Sequence, residues 1–92
     1  MPEIDSRLYR EIRVWKRLSA SSAVCYRCFE DLATHRFCVQ SADFFQLPVD
    51  DERLRQHERQ SVELFIEIEL TARCEWFNSL EEAIKAHHAD FA

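Results

Sequence analysis

The chain has 92 residues, 47% of them hydrophobic and 12% aromatic, carries a net charge of −5 and contains no glycine. That length fits a single domain, 1–92, with a small core and enough apolar area to fold without staples. The missing glycine excludes phosphate-cradling loops, dinucleotide fingerprints and nucleophile elbows, all of which need backbone freedom at φ > 0.

The charge is unevenly spread. Residues 1–36 carry seven Arg/Lys against five Asp/Glu, a net +2, and residues 37–92 carry five against twelve, a net −7. The acidic part argues against binding a phosphate backbone, which requires a basic footprint. No run of 18 apolar residues is present to span a membrane. The first residues, MPEIDSRLYREIR, are charged where a secretory signal is apolar. The expected location is therefore cytoplasmic, with the four cysteines as reduced thiols.

Along residues 4–18, Ile4, Leu8, Ile12, Trp15 and Leu18 recur at steps of four, four, three and three. This stripe predicts an N-terminal helix capped by Asp5 or Ser6, with Arg10, Arg13, Lys16 and Arg17 on the other side. A strand reading of EIRVWKRL competes, because Ile12, Val14 and Leu18 share parity, but Lys16 interrupts it. SASS, at 19–22, breaks the element through local hydroxyl hydrogen bonds.

AVCYRCFED and HRFCVQSADFF, rich in β-branched and aromatic residues, read as the two strands of an antiparallel hairpin. A three-residue loop over 32–34 pairs Asp31 with His35, Glu30 with Arg36, Phe29 with Phe37 and Cys28 with Cys38. Such loops ordinarily place a glycine in the left-handed region, and here there is none.

LPVDDERL marks a helix start: Pro48 ends the extended run, Asp50 is the N-cap, acids fill the first turn, and Val49 can staple to Leu54. The helix is expected to reach about residue 68 with Leu54, Ser61, Val62, Phe65 and Ile68 inward, although VELFIEIEL also alternates like a strand. CEWF is a short extended approach to a last helix, in which Ser79 and Glu82 have capping-box spacing and Leu80, Ile84, His87 and Phe91 form the apolar stripe. The expected fold is α+β: an N-terminal helix, a β-hairpin, then two helices packed on one face of a small sheet.

Cys25, Cys28, His35 and Cys38 are the ligand types zinc prefers. A shared zinc needs sulfurs about 3.8 Å apart, so the C-x-x-C must fold into a tight turn. On an extended strand Cys25 and Cys28 point to opposite faces with Cα atoms about 10 Å apart. Structural thiols are the favoured reading, with no metal and no cofactor. His87 and His88 at the end of the last helix suit the helix dipole.

Neither a nucleophile–base pair nor any other catalytic motif is visible, so the chain is read as non-enzymatic. The acidic surface is the functional candidate. Glu52, Glu63 and Glu67 are expected to face outward on the second helix, and with Glu69 in the same half of the chain they would steer a basic partner protein. That describes an interaction module, such as an inhibitor or an immunity-type or anti-defence protein. The alternative is a zinc-binding or thiol redox-sensing module built on the Cys/His cluster, and a homodimer is a third reading.

Overall fold

The computed structural model describes residues 7–91. Three antiparallel strands, β1 (Tyr9–Ser19), β2 (Ser22–Asp31) and β3 (Arg36–Gln46), form a meander in the order β1-β2-β3. The helices α1 (Asp51–Glu67), α2 (Leu70–Arg73) and α3 (Leu80–Phe91) follow. The α+β class stands, with its strands at the start of the described chain.

The expected N-terminal helix is instead β1; Ile4 and the caps at Asp5 and Ser6 lie outside the described residues. The physical reason is two-sided covering. Ile12 and Val14 pack on the α3 side with Val24, Tyr26 and Cys28, while Tyr9 and Trp15 meet aromatic rings on the α1 side. Apolar residues on both parities blur the period-two signal and imitate a helical stripe.

The same reason corrects the placement of the helices. β2 is buried from Val24 through Asp31 with no alternation, because α1 covers one face of the sheet and α3 the other. Phe65 of α1 packs on Phe29, whereas Leu80 and Ile84 of α3 pack on the Val24, Tyr26 and Cys28 cluster. Between the two helices the chain rounds the β3 edge, where Phe37 and Phe77 exchange backbone hydrogen bonds of 2.8 Å in both directions. This is the expected extended approach of CEWF. Leu70 of α2, together with Cys74 and Trp76, joins Phe29 and Cys38 in a second core cluster.

The hairpin register differs by one residue from the expected one. Asp31 pairs with Arg36, Glu30 with Phe37, Phe29 with Cys38 and Cys28 with Val39, so Cys28 and Cys38 do not face each other. The connection has four residues, and His35 takes the left-handed position at φ 56° in place of a glycine. Its N–H donates to the Asp31 carbonyl at 2.7 Å, and the Asp31 carboxylate accepts from the Ala33 N–H at 2.9 Å. Farther along β3 the pairing skips one residue between Cys28↔Val39 and Arg27↔Ser41, which leaves Gln40 as a bulge. The bulge reverses the parity of the rest of β3 and brings Asp43 and Phe45 to the α1 face.

Both expected helix caps are present. Asp50 accepts from the N–H groups of Glu52 and Arg53, and Ser79 Oγ accepts from the Glu82 N–H at 3.1 Å. Residues 62–67 are helical, and the alternation in VELFIEIEL does not produce a strand.

A non-glycine residue in the left-handed region costs about 1–2 kcal/mol. His35→Gly is therefore expected to raise stability by about 0.5–1 kcal/mol, and β-branched His35→Val to lower it, in chemical denaturation.

Candidate functional site

α1 reaches the second apolar cluster through Phe65, which packs on Phe29 and Tyr9; the rest of its attachment to the sheet is polar and charged. Arg27, in the middle of the central strand, is 4% exposed. Its Nε donates to Asp43 Oδ2 of β3 at 2.6 Å, and both terminal nitrogens donate to Glu58 Oε2 of α1 at 3.2 Å. Arg13 of β1 donates to both Glu58 oxygens at 2.9 and 3.1 Å, and to Glu11 at 3.1 Å. Glu58 thus links α1 to two strands at once. Desolvation would push its carboxyl up, but Arg13 and Arg27 outweigh it and hold the group below the usual carboxylate range. Ser61 is buried one turn later and accepts from the Gln40 amide nitrogen through both Oγ and carbonyl.

His57 sits beside Asp43, Nδ1 to Oδ1 at 3.5 Å, and packs edge-on against Phe45. An aspartate behind an imidazole is the orienting half of a catalytic triad. Here Nε2 is buried and meets no hydroxyl or thiol among the described residues.

The four cysteines are distributed over both faces. Cys25 lines a cavity on the α1 face with Arg13, Trp15 and Arg27, whereas Cys28 belongs to the cluster under α3. Cys38 returns to the α1 face, and His35 stands in the exposed hairpin turn with Nδ1 3.1 Å from Glu30. The Cys25, Cys28, His35 and Cys38 set is therefore not brought together, and no group of three or more His, Cys, Asp or Glu placed to hold a metal occurs among the described residues. Burial raises the Cys25 thiol and pushes Cys28 up to about 12. Cys38 is raised first by a hydrogen bond with Cys74 and then by burial. That pairing joins strand to linker, and spacing in the sequence gave no sign of it.

All four expected partner-binding carboxylates are exposed. The fold does not bring them into one patch. Glu52 lies in the first turn of α1, about 16 Å along the axis from Glu63, with Arg53, Arg55 and Arg59 between them. Residues 60–70 carry Glu63, Glu67 and Glu69 and no cation. None of Glu52, Glu63 or Glu67 is ion-paired among the described residues, in contrast to Glu11, Glu30, Asp43 and Glu58. Beside Glu63 and Glu67 runs a second row, Val62 and Ile66, 53% and 76% exposed. The expectation that Val62 faces inward is corrected here, because Glu58 and Ser61 occupy the inner face.

The chain matches no protein-family model, no curated protein and no solved structure. No helix among the described residues is long and apolar enough to cross a membrane.

Because the folded-state carboxyl of Glu58 is lowered, its contribution to stability is complete above the ordinary value near 4.3 and is lost as pH falls through the lower folded value. Wild type is expected to be more stable than Glu58→Gln at neutral pH. The gap should close on acidification below about pH 4, as followed by urea denaturation at a series of pH values.

Proposed function

We propose that the protein is a non-catalytic interaction module that takes a basic partner protein on the C-terminal half of α1. The observation that carries this reading is the pairing of two rows: Val62 and Ile66 exposed, and Glu63 and Glu67 beside them without counter-ions. Apolar side chains at 53% and 76% exposure on a helix that also has a buried side are surplus to the fold. Carboxylates at their flank supply direction and speed of encounter, and the apolar row supplies affinity. The complementary surface is a cationic amphipathic segment. An inhibitor of immunity or anti-defence type would work in this way, by covering a basic segment that its partner needs.

The test is fluorescence anisotropy with a synthetic Lys/Leu amphipathic helix and its Glu/Leu counterpart. The cationic peptide is expected to bind and to weaken with salt. Glu63→Gln with Glu67→Gln should reduce affinity several-fold, and Ile66→Ser should reduce it by about tenfold. Equal affinity for the two peptides, or no response to either variant, refutes the reading.

A second reading, thiol redox sensing, is favoured by one contact that replaces the Cys28–Cys38 pair. Cys38 is wholly buried and hydrogen-bonded to half-buried Cys74, whose Sγ also lies 3.6 Å from the Val39 carbonyl oxygen. A peroxide would take two electrons and two protons from this pair, giving a disulfide and two waters. Under this reading, peroxide treatment removes two titratable thiols from wild type and none as an intramolecular pair from Cys74→Ser. Retention of four free thiols in the treated wild type excludes it.

A further inference from the structure

The face of the sheet opposite α1 is only partly roofed. α3 runs against β3 and sets Leu80 and Ile84 on the central cluster. Strands are spaced about 4.8 Å apart and a helix is about 10 Å across, so one helix laid toward β3 leaves a strip uncovered along β1. The result is a groove of ≈ 310 Å³ between β1 and α3, lined by Val14, Tyr26 and Ile84 and by Lys16, Lys85 and His88. Its volume is at the lower end of the range that holds small ligands.

The charges around this groove run against the charge of the whole chain. Lys16 and Lys85 are the only two lysines in a protein of net charge −5, and the fold brings both to one cleft, one from the edge strand and one from the helix. Arg10, on the same face of β1, is by contrast neutralised by Glu30 at 2.6 Å. Lys16 has no carboxylate partner among the described residues, and Lys85 has only Glu81 at 3.8 Å, with both side chains largely in solvent. The two lysines line the same groove from different elements, so one anion held in it can engage both ammonium groups. Beneath them the apolar lining offers no hydrogen bond except through the Tyr26 hydroxyl and the His88 ring.

We propose that this groove binds a small free carboxylate with an apolar body, such as a medium-chain fatty acid. The chain lies along Val14, Tyr26 and Ile84, and the head group lies between Lys16 and Lys85. His88, on the last turn of α3, borders the same opening. The site is on the opposite side of the sheet from Val62, Ile66, Glu63 and Glu67, so it stands or falls independently of the partner surface.

Titration of the intact chain with decanoate, followed by two-dimensional NMR, tests the proposal. Decanoate is expected to shift the Val14, Tyr26 and Ile84 signals, while decyltrimethylammonium, of the same chain length and opposite charge, leaves them in place. Lys16→Gln with Lys85→Gln, both solvent-exposed and so compatible with folding, should weaken decanoate by about tenfold. Far-UV circular dichroism of the variant checks that the fold is kept. The proposal is overturned by comparable affinity for the cationic amphiphile, by unchanged decanoate binding in the folded double variant, or by shifts confined to Leu47, Val49 and Leu54, which line a separate groove with Trp15 and Phe45. It is equally overturned if the carboxylate binds only as part of an anionic vesicle.

Discussion

A guanidinium buried in the central strand is the constraint around which the rest of the molecule is arranged. Arg27 cannot be left unpaired inside the protein, since a buried charge stripped of its partner costs on the order of 3–5 kcal/mol. Its neighbours on the adjoining strands do not meet that need alone: Arg13 stands opposite it on β1 and Ser41 on β3. Without the bulge at Gln40, Asp43 would fall on the α3 face and Arg27 would lose its shortest contact. The extra residue re-aims the second half of β3, and the amide of Gln40 itself reaches Ser61 of α1. Glu58 then completes the pairing from the helix, so strand irregularity and helix position are consequences of the same buried charge.

This explains why α1 is anchored by an inner face that is substantially polar. An ordinary surface helix buries an apolar stripe and leaves polar residues outside. Here Glu58 and Ser61 turn inward, Phe65 supplies an aromatic contact to Phe29 and Tyr9, and Val62 and Ile66 are displaced toward solvent. Val62 and Ile66 thus add little to the attachment of α1, while α3 on the other face packs Leu80 and Ile84 against the core. The two layers are attached by different physics.

Much of the local structure was legible in the sequence. Asp50 and Ser79 announced the two long helices because a cap depends on a few adjacent residues, and the strands of the hairpin followed from their β-branched and aromatic content. What failed was whatever depended on neighbours distant in the chain. The register slipped because His35, not a glycine, occupies the left-handed turn position; histidine is enriched there among non-glycine residues, but far less than glycine, so the signal is weak. The N-terminal strand was hidden by having apolar residues on both parities, although AVCYRCFED carried the corresponding clue: an extended run apolar on both sides implies cover on both sides. Within the candidate site, the sequence identified Glu52, Glu63 and Glu67 as outward. Helical spacing sets Glu58 about 40° from Leu54 and so on the inner side, but the sequence could not show that Arg13 and Arg27 meet it there, nor that Lys16 and Lys85, far apart in the chain, share a groove.

The separation between inner and outer carboxylates also determines how the molecule responds to its surroundings. Ion pairs around Arg27 lie partly or wholly out of water and are screened weakly, whereas Glu63, Glu67 and Glu69 stand in solvent, where salt attenuates interactions over about 8–10 Å. A rise in ionic strength therefore weakens long-range attraction at the outer face before it loosens the attachment of α1. Acid acts in the other order of consequence. Protonating the outer carboxylates removes a surface potential and leaves the fold intact, but protonating Glu58 removes the counter-charge that two arginines share. Salt and acid thus address different charges of the same helix: the outer carboxylates contribute little to holding α1 on the sheet, whereas Glu58 holds it to two strands.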